Sequence, residues 1–215
     1  MRFFITVFFI LQGMLAYAQS SHEAAKEMLR EASERLKQHT SIDIRFTYTF
    51  ENNRVDPPVV RAEKGEVQVK GEAYHLVLMG TEQICDGEMV YTILHEDEEV
   101  QKAPAKNEGE DEAAFHPLQI LDLYKKNFSY KLGGEEKVGG KTVQYIILVP
   151  QASELLQRIV VGLYKEDKRL YSYKQLGVDG TETTFVVDSY TVDKPLPATY
   201  FTFDPKRYPD YYIPR

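Results

Sequence analysis

Five histidines, at 22, 39, 75, 95 and 116, one cysteine at 85 and two acidic runs are the side chains here with metal, nucleophilic or acid–base potential. A zinc site would need histidines or cysteines at ligand spacing. The histidines show no i, i+4 pair and no HExxH, so they read as surface or helix-end residues. Cys85 as a nucleophile would need a base and an activating positive charge. Its neighbours are Asp86 and Glu88, which would raise a thiol pKa, so it reads as a buried, inert thiol. Glu96–Asp97–Glu98–Glu99 and Glu108, Glu110, Asp111 and Glu112 do not match an EF-hand loop and read as solvated charge. Tyr171 with Tyr173, and Tyr211 with Tyr212, could stack on sugars but read as packing residues. No G-x-S-x-G elbow, P-loop or GxGxxG occurs. The expectation is therefore no enzyme, no metal and no cofactor.

The elements that carry these residues show two periods. Residues 21–39 predict a helix, with Ser20 or Ser21 as cap and Ala25, Met28, Leu29, Ala32 and Leu36 on one stripe. From Ile42 to Phe50 the period is two: Ile42, Ile44, Phe46, Tyr48 and Phe50 alternate with polar residues. Shorter strands follow at 60–70, 73–79, 82–85, 88–94 and 98–101, with a hairpin signal at Asp86–Gly87. Residues 102–114 predict a polar loop, and 117–126 a short helix with Leu118 and Leu121 on one face. Strands resume at 128–136, 141–149, 157–165, 169–177 and 181–192. Turn signals stand at Gly133–Gly134, Gly139–Gly140, Glu166–Asp167 and Asp179–Gly180. About ten strands without βαβ alternation argue a mainly β (α+β) domain, one curved antiparallel sheet partly covered by helices. Residues 143–149 and 158–164 are apolar on both faces, so cover is expected on both.

A net charge of −7 without a basic stripe argues against nucleic acid. A single cysteine leaves no internal disulfide. Residues 1–18 pair Arg2 with an apolar run and end A-Y-A, the pattern of a secretory signal cleaved after Ala18. The run is shorter than the ~20 residues that span a bilayer. Residues 19–215 then form a single exported domain.

Several motifs, in order, resemble the periplasmic lipoprotein carrier family LolA. Ser41–Phe50 (SIDIRFTYTF) is similar to the family's S-F-x-A-x-F-T-Q strand, and Gly65–Lys70 (GEVQVK) to its second strand. Asp86–Gly87 with Val90–Tyr91 resembles D-G-x-x-l/v-W-x-Y, Tyr91 standing in the Trp place. Phe201–Pro205 (FTFDP) resembles the closing F-x-F-x-P. The resemblance implies an incomplete barrel of about ten or eleven strands with a mid-chain lid helix over an apolar cavity for lipoprotein acyl chains. Ile44, Phe46, Tyr48, Val67, Val69, Leu76, Leu78, Leu118 and Leu121 are the expected lining. It also implies acylated lipoproteins as cargo, an ABC-type exporter in the inner membrane, an outer-membrane acceptor, a periplasmic location and a monomer. The family's Arg after the second strand is absent, since Lys70-Gly71-Glu72-Ala73 stands there, so its lid lock is not carried over. The alternatives are a related-fold envelope sensor or another lipid-binding protein without a transport role. A sugar-binding protein or enzyme of all-β fold would instead place pKa-shifted polar groups in a cavity.

Overall fold

The structure is a computed structural model that describes residues 21–105, 124, 125 and 127–214. The signal segment, most of the acidic loop and the predicted 117–126 helix apart from Tyr124 and Lys125, so Leu118 and Leu121 as well, lie outside the described residues.

Residues 21–37 form one α-helix (α1). Its stripe of Ala25, Met28, Leu29 and Ala32 is buried, as the spacing requires. Eleven strands follow: β1 (Ile42–Asn52), β2 (Val59–Lys70), β3 (Ala73–Leu78), β4 (Thr81–Cys85), β5 (Met89–Leu94), β6 (Glu99–Pro104), β7 (Phe128–Val138), β8 (Lys141–Pro150), β9 (Leu156–Tyr164), β10 (Leu170–Gly177) and β11 (Thr181–Val192). They form one antiparallel sheet in the order β6-β5-β4-β3-β2-β1-β11-β10-β9-β8-β7, with β6 and β7 as open edges. The predicted hairpin forms at Asp86–Gly87. Asp86 Oδ1 accepts from the amides of Glu88 (2.9 Å) and Met89 (2.8 Å), and Gly87 takes a φ of +100° that side chains resist.

Two expectations about turns and loops are corrected. Gly133–Gly134 is not a turn but an irregularity inside β7, where the register shifts between Leu132 and Glu135. The Gln144 amide fills the gap, donating to the carbonyls of Gly133 (2.9 Å) and Gly134 (3.2 Å). The polar segment after residue 101 also begins as strand. Lys102, Ala103 and Pro104 pair with Tyr91, Val90 and Met89, so the partner strand overrides the weak local propensity.

Chain contacts divide the protein into two compact units. The first holds α1, 51–59 and the strands from β7 to the start of β11. Its register places Tyr130, Ile146, Leu148, Ile159, Val161, Leu163 and Tyr173 on one buried face. The N-terminal end of α1 lies against that face. The His22 ring meets Tyr130 edge-on at 5.2 Å, and the Lys26 ammonium stands 5.9 Å from the Tyr130 ring centre. Ser21 does more than stand at the helix start. Its hydroxyl accepts from the Leu132 amide and His22 Nδ1 from the Tyr130 amide, which closes part of the β7 edge to other strands. On the opposite face of β8 and β9 cover is partial among the described residues: Val143 is fully buried, Tyr145, Ile147 and Val160 are half-buried, and Val149 is 43% exposed.

The second unit holds residues 37–50, 60–105 and 185–214, with β1 through β6 and the C-terminal segment after β11.

Candidate functional site

Antiparallel register sorts the second unit's side chains into two faces, because directly opposed residues point the same way. Val67 opposes Leu76 and Leu76 opposes Gln83; Val69 opposes Tyr74 and Tyr74 opposes Cys85; Leu78 opposes Thr81. Val67, Val69, Leu76 and Leu78 therefore share one face, here the apolar face.

Phe46 joins them. A Cβ built on Gly65 would lie 2.5 Å from Phe46 Cζ and 3.1 Å from Leu78 Cδ1, so the ring lies under the bare glycine beside Leu78. Phe185 packs on Phe46 (5.5 Å between ring centres) and on Tyr48 (5.1 Å). Ile44 follows by alternation. All seven strand residues expected to line a cavity thus lie on one face. Phe46, Val67, Val69 and Leu76 are buried, and Ile44, Tyr48 and Leu78 half-buried. Sequence reasoning did not single out Phe185 or Tyr74, although both stand in alternating strands. Burial pushes the Tyr74 hydroxyl up to about 12, and it raises the Cys85 thiol as well. Cys85 is free and buried. Toward β4 and β5 the face turns polar, where Gln83 donates to Thr92 Oγ1 at 3.4 Å.

The opposite face of β2–β6 is covered by the chain's own C-terminal segment, a strap that runs from Asp193 to Ile213. Asp193 fixes its start, accepting from the Thr40 amide (2.8 Å) and lying 2.9 Å from His39 Nδ1. Lys70, from the stretch where the resemblance leads one to look for Arg, donates to the Leu196 carbonyl at 2.9 Å. Tyr200 packs on His75 with the rings tilted and their centres 4.8 Å apart, and it donates to Gln68 Oε1. Phe203 stacks at 4.5 Å on Tyr91, and Tyr208 packs with Ile84, Ile93 and Val100. The closing F-x-F motif is thus a seal. At the far end the Val100 amide donates to Tyr212 O (2.9 Å) and the Tyr212 amide to Glu98 O (2.8 Å), a parallel bridge on the β6 edge. Pro214 has no N–H with which to extend that bridge.

Under the strap lies a polar cluster that sequence reasoning missed. Glu82 is 7% exposed. Its Oε1 lies 2.7 Å from His75 Nε2, and its Oε2 accepts from Tyr208 Oη at 2.8 Å. A carboxylate only accepts, so Nε2 of His75 carries the hydrogen. His95 Nε2 stands 3.5 Å away and Arg207 4.0 Å. His75 is therefore not a surface residue. It opposes Gln68 and Ile84 on the strap face, and its Nδ1 is buried without a partner among the described residues. The His75 hydrogen bond, helped by Tyr208 and opposed by burial, holds the Glu82 carboxyl down at about 2. The Tyr208 hydroxyl is pushed up by burial and by that carboxylate.

A pH dependence follows. The depressed carboxyl contributes stability above its unfolded pKa of 4.5 and loses it as pH falls toward 2. The shift corresponds to about 3 kcal/mol. Denaturant melts between pH 5 and about 2 should show a loss of that order, and Glu82→Gln should flatten this part of the profile.

Among the described residues no group of three or more His, Cys, Asp or Glu is placed to hold a metal ion. No helix there is long and apolar enough to cross a membrane. Tyr171 packs edge-on against Tyr164 at 5.6 Å, and Tyr211 against Tyr208 at 5.4 Å.

No protein-family model matches the chain, and no curated protein matches it. Solved structures do. An uncharacterized conserved protein from Thermus thermophilus superposes with a TM-score of 0.60 at 14% identity, over 89% of this chain and 99% of the other. The Mycobacterium tuberculosis lipoprotein LppX gives 0.51 at 13% identity, over 83% and 100%. A LolA superfamily protein from Nitrosomonas europaea gives 0.40 at 10% identity, over 83% and 97%. At such identities the likeness is one of fold. The described residues form an open antiparallel sheet of eleven strands with one N-terminal helix, and the chain shares its fold with the Thermus thermophilus protein and with LppX.

Proposed function

We propose that this protein is a periplasmic carrier that binds the acyl chains of lipoproteins on the apolar face of β1–β3 and β11, by binding and not by catalysis. One observation carries the reading: seven residues from β1, β2 and β3 converge on one apolar face, while the chain's own strap covers much of the other. An acyl chain leaving water gains ~0.8 kcal/mol per CH₂ buried, so such a face competes for lipid without any catalytic group. Cargo delivered by an inner-membrane exporter and passed to an outer-membrane acceptor belongs to the same reading, as do export through the signal at 1–18 and a monomeric carrier. Leu118 and Leu121 would complete the lining.

Native mass spectrometry after exposure to a triacylated lipoprotein tests this. A one-to-one complex is expected. Tyr48→Glu and Leu78→Glu place a charge at half-buried positions, where the fold tolerates it better than at Phe46. Each should weaken loading by about tenfold or more, the cost of a charge in apolar surroundings. Retention of free phospholipid but not lipoprotein would favour a lipid binder without transport. If neither binds at micromolar concentration, the reading fails.

A further inference from the structure

Part of the strap-side face stays uncovered. Arg45, Lys64, Glu66, Val77 and Asp188 line an open cleft of about 630 Å³, with Val77 and the bare backbone of Gly65 among its walls. Its charges alternate. The Lys64 ammonium lies 2.8 Å from Asp188 Oδ2 and 2.6 Å from Thr47 Oγ1. Arg45 approaches Glu66 through Nε at 3.6 Å, so the contact is made from the side of the guanidinium and not through its outer edge. The cations are the outer partners, 69% and 76% exposed, and the carboxylates the deeper ones at 39% and 38%. The Lys64 hydrogen bond holds the Asp188 carboxyl below its ordinary value, so it stays ionised.

We propose that this cleft binds a zwitterion bearing a phosphate and an ammonium on a short aliphatic link, of the phosphoethanolamine type. The phosphate takes the paired outer nitrogens of Arg45, which suit a bidentate anion, with Lys64 beside it. The ammonium meets Glu66 and Asp188, and the link crosses Val77. A bare anion would meet Arg45 and Lys64 only beside the carboxylates paired with them, and the ammonium of the zwitterion relieves that repulsion. A chain of net charge −7 is likewise not drawn to a uniformly anionic surface. The same chemistry occurs as a soluble headgroup and as phosphatidylethanolamine in a bilayer.

Amide chemical shifts of the full chain, titrated separately with phosphoethanolamine, ethanolamine and inorganic phosphate, test it. Phosphoethanolamine at millimolar concentration should shift Gly65, Glu66 and Val77. Arg45→Gln at an exposed position and Glu66→Gln at a half-buried one should each weaken it about tenfold, the worth of one charge-assisted contact. Equal affinity for inorganic phosphate, no shift at these amides, or indifference to Arg45→Gln overturns the proposal. Flotation with phosphatidylethanolamine vesicles that is lost in Arg45→Gln assigns the bilayer as the source. Soluble binding without flotation assigns the free headgroup.

Discussion

Glu82→Ala is expected to lower the melting temperature by about 10 °C and to free the C-terminal strap for trypsin at Lys206 and Arg207. Glu82 is the acceptor for both His75 Nε2 and Tyr208 Oη, one from β3 and one from the strap. Removing it leaves two buried donors without acceptors and His75 with a second unsatisfied nitrogen. Breaking a buried, hydrogen-bonded charge cluster costs about 3–5 kcal/mol. In a protein of this size each kcal/mol moves the midpoint by about 2–4 °C. Glu82→Gln keeps the shape and one acceptor and should cost less than half as much. Tyr208→Phe should match the strap release with a smaller thermal loss, since the ring still packs on Ile84, Ile93 and Val100. An alanine variant that melts within about 2 °C of the parent, with an unchanged tryptic pattern, would show that aromatic packing alone secures the strap.

The second large effect belongs to Phe46 and Gly65. Phe46→Ala removes a ring that is 3% exposed, and cavity formation there should cost about 3–5 kcal/mol in urea denaturation. Gly65→Ala should be destabilising by about 1–3 kcal/mol for the opposite reason. Its Cβ would fall 2.5 and 2.6 Å from two ring carbons of Phe46, and that ring is itself held by Phe185. The double variant separates packing from backbone effects. With the ring gone, the methyl added by Gly65→Ala has room, so the double should be more stable than the sum of the single losses by at least about 1 kcal/mol. Strict additivity would mean that the two residues are not packed as described. If Phe46→Ala retains lipoprotein loading while Tyr48→Glu and Leu78→Glu lose it, Phe46 is core and the half-buried positions form the contact surface.

Much of this was legible in the residue pattern. Alternation from Ile42 to Phe50 is a local property, and strands of this kind announce themselves wherever one side meets water and the other does not. Hairpins join β2 to β3 and β3 to β4. Once the short turns are recognised, their register follows, and with it the common face of Val67, Val69, Leu76 and Leu78. The helix stripe of Ala25, Met28, Leu29 and Ala32 is equally local.

What escaped the pattern depends on residues far apart in the chain. Tyr208 and Glu82 are separated by 126 positions, and nothing near Glu82 marks it as the anchor of a C-terminal strap. His75, between Tyr74 and Leu76, belongs to the face that the strap buries, which alternation alone does not distinguish from a face in water. Gly133–Gly134 has turn composition, but β8 on one side and the Gln144 amide hold it in a strand. By itself, then, the sequence determined about ten strands, the N-terminal helix and the alternation that puts apolar residues on a common face, because periodicity and short turns are local. Only the tertiary structure decided which face the chain covers with its own end and where a buried carboxylate is tolerated, because both depend on partners brought together by folding.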